Sequence, residues 1–154
     1  MNADNPIFEF ETDFAGTLSC IPMCIRYQLD EIGIKLSLRQ WNVFTLDERR
    51  ELIAVAGDEP RVQAAFTARL FELMRIHEAG ELERVPAVAR THWGGAHIPP
   101  RIISYASGLN IAPPSPELWA SLSPLQRFAL FKLTRPNHDN DNFIPALREF
   151  GLLD

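Results

Sequence analysis

The sequence has little of several residue types and patterns that would reveal a function directly. Only 2 of its 154 residues are cysteines, too few for the disulfide framework of a small secreted protein. It contains no apolar run near the roughly 18 residues of a membrane-spanning helix, and no apolar signal-peptide core at its N-terminus. Its net charge of −5 argues against a broad nucleic-acid-binding surface. We therefore expect a cytoplasmic protein with reduced thiols that binds neither membranes nor nucleic acid.

The sequence also lacks the spacings of common catalytic and metal sites. It has no glycine-rich phosphate loop and no spacing that indicates a Ser-His-Asp or Cys-His arrangement. Cys20, Cys24, His92 and His97 resemble a zinc ligand set, but 67 residues separate the two pairs, where a zinc finger has about a dozen. Half-buried thiols and loop histidines are the simpler interpretation. The sequence therefore predicts no metal, no cofactor and no catalytic residue.

Proline is plentiful instead, with 12 residues, and its positions indicate helix starts. In Ser115-Pro116 and Ser123-Pro124 a capping hydroxyl precedes a proline at the first helical position, where the missing N–H costs nothing. Capping boxes, which pair a hydroxyl residue with Gln or Glu three residues later, occur at 37–40 and 45–48. These signals and the apolar spacing predict seven or eight helices, near 22–32, 38–44, 46–56, 60–78, 100–108 and 124–133, with a short one that starts at 116 and a short last one capped by Asn142.

Part of this helical pattern occurs twice, at an offset of 78 positions. A serine, a tryptophan, a second hydroxyl residue and an arginine recur at the same spacing. The two copies are Ser37-x3-Trp41-x3-Thr45-x2-Glu48-Arg49 and Ser115-x3-Trp119-x3-Ser123-x2-Gln126-Arg127. Around them, residues 22–52 and 100–130 align without a gap and share seven identities over 31 positions. We refer to the copies, 37–49 and 115–127, as the first and second cassettes.

These patterns predict an all-α fold in a single domain over residues 1–154. The domain would contain two pseudo-repeated helical halves, at about 21–56 and 99–134, joined by an irregular link over 80–98. Residues 7–11 alternate between apolar and polar as a strand does, but no second strand pattern is evident to pair with them. We therefore expect an extended N-terminal arm that packs over the core.

The tryptophans and arginines of the cassettes have two interpretations each. Trp41 and Trp119 could stack on a ligand, but their equivalent places favour burial in the core, with each indole N–H donating to a nearby carbonyl. Arg49 and Arg127 could bind an anion, but a hydrogen bond or ion pair that joins the paired helices is the simpler interpretation. We therefore expect the cassettes to be scaffold.

A polar segment follows the second cassette and has no counterpart after the first. The segment begins with cations near the C-terminal end of a predicted helix, where the helix dipole stabilises positive charge. Residues typical of turns and helix caps follow them. The segment is either a charged helix end with an Asx-rich turn or a recognition surface for an anionic group or a partner protein. The candidate residues are Arg127, Lys132, Arg135, His138 and Asn142.

Two blocks of the chain contain residues that match the pattern of a known protein family. The first contains Phe8-Glu-Phe-Glu11, Asp13-Phe14, Cys20-Ile-Pro-Met23, Arg26, Leu29-Asp30, Gly33-Ile-Lys-Leu36 and Trp41. The second contains Trp119, Leu122, Leu125-Gln-Arg-Phe-Ala-Leu130, Lys132-Leu133, Arg135-Pro136, His138, Asn142-Phe143 and Ala146-Leu-x-Glu-Phe150. Both blocks, in this order, resemble the conserved nitrate reductase-associated protein family. Residues 57–98 resemble it only in length and helical character, and an aliphatic residue is expected where Cys24 stands.

This resemblance implies a small accessory protein of nitrate assimilation, whose gene tends to lie near those for nitrate reductase and molybdopterin synthesis. It carries over no catalytic residue. The first hypothesis is a non-catalytic protein that helps assemble or activate a molybdenum-dependent assimilatory nitrate reductase by binding the enzyme or its maturation machinery. The alternative is an enzyme or carrier for the molybdopterin cofactor, whose phosphate the basic patch would hold. A third hypothesis is a structural subunit that is stable only within a larger complex.

Overall fold

A computed structural model of the chain describes residues 7–11, 18–86, 93–95, 97–135 and 141–153. Within these ranges the chain is mostly helical, which confirms the predicted all-α fold. None of the helices in these ranges combines the length and the apolar character needed to cross a lipid bilayer. The chain divides into two compact units, Met1–Val88 and Ala89–Asp154, whose boundary lies inside the predicted link. The single domain stays a prediction.

The described part of the first unit contains four α-helices, and the sequence signals locate their starts. They are α1 (Met23–Ile32), α2 (Leu38–Val43), α3 (Leu46–Val55) and α4 (Pro60–Ile76). Both predicted capping boxes form: Ser37 pairs with Gln40 before α2, and Thr45 pairs with Glu48 before α3. Gly33 ends α1 with a left-handed φ of 71°, as a C-terminal cap requires.

The N-terminal segment differs from the predicted extended arm, because Glu9–Glu11 is a single turn of 3-10 helix. Glu11 is only 2% exposed, and its carboxylate accepts hydrogen bonds from the backbone N–H groups of Phe8 at 3.3 Å and Met23 at 2.9 Å. Met23 is the first residue of α1, so the carboxylate binds one of the N–H groups that have no partner within the helix. This hydrogen bond holds the segment against the start of α1. Pro22 is the cap residue before α1 rather than its first helical residue.

The predicted irregular link contains a short strand that the sequence pattern does not indicate. β1 (Ile34–Lys35) follows α1 and pairs antiparallel with β2 (Glu83–Arg84). Strands of two residues are too short to show alternation in the sequence. The buried Gln40 amide of α2 helps to place the approach to β2, since it donates to the carbonyls of Ala79 at 3.4 Å and Glu81 at 3.1 Å.

The core of the first unit forms where α4 packs against α1 and α3. The buried side chains of α4 are Phe66, Leu70, Leu73 and Met74. Val62 and Arg69, on either side of them, are half-buried, and Ala65 is exposed. Arg69 instead donates to both carboxylate oxygens of Glu51 on α3, at 2.5 and 3.0 Å.

The described part of the second unit also contains four α-helices. They are α5 (Pro100–Gly108), α6 (Pro116–Ser121), α7 (Pro124–Lys132) and α8 (Phe143–Glu149). A proline stands at the start of α5, α6 and α7, as predicted. Asn142 precedes α8, but its side chain makes no capping hydrogen bond, so the predicted cap is wrong in this respect. Its φ of −90° and ψ of 0° differ from the extended backbone that aims a capping side chain at the first N–H groups.

The two units share the order of their helices. In the first unit α3 contacts α1 and α4, and in the second α7 contacts α5 and α8. The fourth helices differ most, because α4 has 17 residues and α8 has 7. These similarities are consistent with the predicted pseudo-repeat, and the duplication of whole halves stays a prediction.

Candidate functional site

Each cassette holds a tryptophan whose side chain is fully buried, at 0% exposure. The indole Nε1 of Trp41 donates to the carbonyl of Leu18 at 2.7 Å, and that of Trp119 donates to the carbonyl of Gly95 at 3.2 Å. A buried indole with a satisfied N–H has no face left for a ligand. The structure therefore confirms that both tryptophans are core residues.

Arg49 and Arg127 join the helices of their cassettes through equivalent hydrogen bonds. Arg49 donates to the carbonyls of Trp41, Asn42 and Leu18, at 3.3, 3.0 and 3.5 Å. Arg127 donates to those of Trp119, Ala120 and Gly94, at 3.2, 2.8 and 3.0 Å. Two acceptors in each set belong to the last turn of the preceding short helix, where backbone carbonyls need partners from outside the helix. Each nitrogen of the Arg127 guanidinium thus has a backbone acceptor, which makes Arg127 part of the scaffold.

Two of the other candidate residues lie at the C-terminal end of α7. Lys132, the last residue of α7, is half-buried, and its Nζ is 5.4 Å from the centroid of the Phe128 ring. Arg135 follows three residues later and is exposed. Asn142 is half-buried at the start of α8, and His138 lies outside the described residues. The structure therefore places Lys132 and Arg135 at one helix end, where the macrodipole favours cations.

A third basic residue at this helix end, Arg101, was not among the residues predicted from the sequence. It belongs to the first turn of α5, and its Cζ lies 3.7 Å from the centroid of the Phe131 ring. Its Nε donates to the Thr134 hydroxyl at 3.0 Å, and its Nη2 donates to the carbonyl of Phe131. These partners lie 33 and 30 positions along the chain, so no local spacing indicates the contact.

The surroundings of Arg101 are positive and partly shielded from solvent. Burial lowers the pKa of its guanidinium, and the charge of Arg135 lowers this pKa further. Thr134, which is only 3% exposed, holds the guanidinium without neutralising it. None of the ion pairs within the described ranges includes Arg101. Arg101 thus lies within the influence of a second cation, Arg135, in a chain whose net charge is −5.

A family model described as conserved nitrate reductase-associated protein matches residues 7–150 of the chain. The chain belongs to this family. The match confirms the resemblance inferred from the two sequence blocks, and the matched stretch contains both cassettes and the basic residues around α7. No curated protein and no solved structure matches the chain.

The two cysteines of this member of the nitrate reductase-associated family have different environments. Cys20 is exposed, whereas Cys24 on α1 is buried. Burial, and after it the charge of Glu11, raises the pKa of the Cys24 thiol to about 12. A thiol with so high a pKa stays protonated and is a poor metal ligand. Across the described ranges, no group of three or more His, Cys, Asp or Glu side chains is placed to hold a metal ion.

Two open depressions lie on the first unit, and neither contains a candidate residue. One, of about 480 Å³, is lined by small side chains at the end of α3 and the start of α4: Ala54, Val55, Ala56, Val62 and Ala65. The other, of about 360 Å³, lies beside the end of α4 and is lined by Phe71, Met74, Arg75 and Leu82. Asp58 and Glu59 also line the first depression, and Glu81 also lines the second.

Proposed function

We propose that this protein is a non-catalytic accessory protein that binds nitrate reductase or its maturation machinery. In the cytoplasm it would assist the assembly or activation of the molybdenum-dependent enzyme. Family membership supports this function, because the family is described by its association with nitrate reductase. The tryptophans and arginines of the cassettes are engaged in holding each unit together, which leaves the binding role to other residues.

The observation that carries the proposal is the basic end of α7. Lys132 and Arg135 stand there, whereas Ala54 and Gly57 occupy the positions 78 residues earlier in the first unit. Both cassettes contain the buried tryptophan and the arginine, but this pair of basic residues follows only the second cassette. Charges at the rim of an interface steer encounter and select partners by their sign. We expect an acidic surface on the partner, with His138 and Asn142 as further contact residues.

Co-purification with nitrate reductase from a strain that makes both proteins tests this function. The test variant carries Lys132→Glu and Arg135→Glu, and the control carries Arg39→Glu and Arg61→Glu, which make the same charge change at exposed positions of α2 and α4. We expect the parent and the control to be captured equally and the test variant to lose capture by about tenfold or more. Reductase activation, measured in the same strains, should follow capture.

The outcomes separate the function from the surface assigned to it. Equal capture of the test variant and the parent would show that the end of α7 is not the contact surface. Failure of the parent to bind the reductase or any of its maturation proteins would overturn the proposed function itself. Circular dichroism of both double variants establishes that any loss of capture is not a loss of folding.

A further inference from the structure

Among the described residues, the two-stranded ribbon of the first unit has one edge that is open to solvent. β1 packs beside α1, and its residue Ile34 is only 2% exposed, so the outer edge of β1 lies inside the unit. Glu83 and Arg84, which form β2, are both exposed. A peptide therefore reaches the backbone of this ribbon along the outer edge of β2.

The pairing register directs the backbone groups of Arg84 towards this open edge. Ile34 pairs with Arg84, and the N–H of the next residue, Val85, donates to the carbonyl of Gly33 at 2.9 Å. Hydrogen-bonded and non-hydrogen-bonded pairs alternate along an antiparallel ladder, so the Ile34–Arg84 pair is a non-hydrogen-bonded one. The N–H and C=O of Arg84 therefore point away from β1, and no described residue hydrogen-bonds to them.

The chain before β2 is held in position, which favours the addition of a further strand. The amide of Gln40 binds the carbonyls of Ala79 and Glu81. Between them Gly80 has a φ of 90°, which glycine adopts without strain. An edge that is already fixed loses little conformational entropy when another strand pairs with it.

A depression of about 360 Å³ lies between α4 and the chain that enters β2. Its lining residues are Phe71, Met74 and Arg75 of α4, followed by Gly80, Glu81 and Leu82. Arg84, two residues after Leu82, lies over the Phe71 ring, with its Cζ 5.5 Å from the centroid. Residues two apart share a face of a strand, so this face of β2 is directed towards α4. A strand paired with β2 would direct every second side chain the same way, towards the apolar part of the depression.

The charges around the depression indicate which segment would fit. Arg75 lines it, Arg84 lies at its margin, and neither forms an ion pair within the described ranges. Glu81 also lines the depression, so two cations stand against one acid. Charged side chains on a short edge strand prevent indiscriminate pairing. They therefore favour a segment that carries an acidic residue as well as an apolar one.

We propose that the outer edge of β2 binds an extended segment of a partner protein as an additional strand. The backbone of the segment would pair with the N–H and C=O of Arg84, an apolar side chain would occupy the depression, and an acidic side chain would lie beside Arg75 or Arg84. The identity of the partner, nitrate reductase or its maturation machinery, rests on the proposed function. The edge adds a contact surface in the first unit to the one proposed at the end of α7.

Peptides selected from a random phage-displayed library against the immobilised full chain are probes that do not depend on nitrate reductase. Fluorescence anisotropy of a selected, labelled peptide measures its affinity for the parent and the variants. Arg84→Pro removes the edge N–H without breaking a bond to β1, as proline at an edge position does. Arg84→Ala is its matched control, since it removes the same side chain and keeps the N–H. Arg75→Glu reverses the charge in the depression, and Arg61→Glu makes the same change at an exposed position near the start of α4.

We expect the selected peptides to combine apolar and acidic residues. Arg84→Ala should weaken their binding several-fold, and Arg84→Pro should weaken it about tenfold more than Arg84→Ala. Arg75→Glu should weaken it about tenfold, and Arg61→Glu should leave it unchanged. Equal affinities of Arg84→Pro and Arg84→Ala would overturn strand addition. A library that yields no binder, or binders that Arg75→Glu does not affect, would overturn the site. If circular dichroism shows that Arg84→Pro is unfolded, Arg75→Glu still decides the outcome.

Two further measurements identify what occupies the edge. In sedimentation, a dimer of the parent that Arg84→Pro dissociates would show that the edge binds a second copy of this chain, which would overturn the assignment to a partner protein. In co-purification with nitrate reductase, Arg84→Pro should be captured less than Arg84→Ala. Peptide binding that depends on the Arg84 N–H, in a parent that captures neither the reductase nor its maturation proteins, would overturn the proposed function and support the edge as a binding site for another protein.

Discussion

Cys20 and Cys24 are four residues apart, yet the fold gives their thiols opposite exposure. Cys20 is exposed before α1, and Cys24 is only 6% exposed within its first turn. Burial, followed by the charge of Glu11, raises the pKa of the Cys24 thiol to about 12. Because the thiolate is the reactive form, only on the order of 1 in 10,000 Cys24 side chains would carry it near pH 8.

We therefore predict that a thiol-specific reagent modifies one cysteine rapidly in the native protein and two in the unfolded protein. Cys20→Ser should remove the rapid phase, whereas Cys24→Ser should leave it unchanged. Absorbance or mass spectrometry of the labelled protein measures both phases. Rapid modification of Cys24 in the native Cys20→Ser variant would contradict the burial that the structure gives this thiol.

Single residues also show why part of the candidate site could not be predicted from the sequence. Arg127 was predictable as a scaffold residue because the cassette repeats it at a fixed distance from Trp119 and the caps. Arg101 carries no such signal, since its contacts with Phe131 and Thr134 arise only when α5 and α7 pack together. Contacts of this kind depend on tertiary structure and leave no periodic pattern in the chain.

The two short cassette helices, α2 and α6, differ in the contacts that their third residue makes. On α2 this residue is Gln40, whose amide oxygen completes the capping box with Ser37 and whose amide nitrogen binds the carbonyls of Ala79 and Glu81. On α6 it is Leu118, which is 43% exposed and completes no box. The Gln40 side chain therefore links α2 to the segment before β2, and α6 has no equivalent side chain at this position.

We predict opposite effects of exchanging these residues. Gln40→Leu should destabilise the protein by about 1–3 kcal/mol, because it leaves two backbone carbonyls without their donor. Leu118→Gln should stabilise it by up to about 0.5 kcal/mol, because it creates a capping box and removes an exposed apolar side chain. Denaturant unfolding measures both free energies.

Leu109→Gln is the matched control for this exchange, since Leu109 is 41% exposed and belongs to no capping box. Its free energy of unfolding should stay within about 0.5 kcal/mol of the parent's. If Leu118→Gln stabilises no more than Leu109→Gln, the gain comes from removing apolar surface and not from the box.

The helices themselves were largely predictable, because caps and prolines are local signals. Ser37, Thr45, Ser115 and Ser123 each begin a helix, and Gly33 ends one. The pairing of β1 with β2 and the turn at Glu11 were not predictable, since both depend on groups distant in sequence that meet only in the folded unit. The side chain of Asn142 failed as a cap because its backbone conformation differs from the one that capping needs.

Across the whole molecule, acidic residues outnumber basic ones by 20 to 15, and some of the acids hold helices together. Glu51 on α3 pairs with Arg69 on α4, and a hydrogen bond from Arg69 lowers the pKa of this carboxyl. Glu48 lies 2.7 Å from the Nε2 of His77 at the end of α4. Burial raises the pKa of Glu48, but the hydrogen bonds from Thr45 and His77 together outweigh burial, so its pKa is lowered from 4.5.

These lowered pKa values predict how the stability of the molecule depends on pH. A carboxyl whose pKa is lower in the folded state binds protons more weakly there, so its stabilising effect is complete above its unfolded value of 4.5 and is lost as the pH falls through the folded value. We therefore expect the free energy of unfolding to decrease as the pH is lowered below about 4.5.

A variant with Glu48→Gln and Glu51→Gln should be less stable than the parent at neutral pH and should show a shallower decrease on acidification. Glu81→Gln, at an exposed position whose side chain makes no ion pair within the described ranges, should keep the slope of the parent. Urea unfolding at a series of pH values measures these slopes, and parallel profiles for the double variant and the parent would show that the α3–α4 carboxylates do not control acid stability.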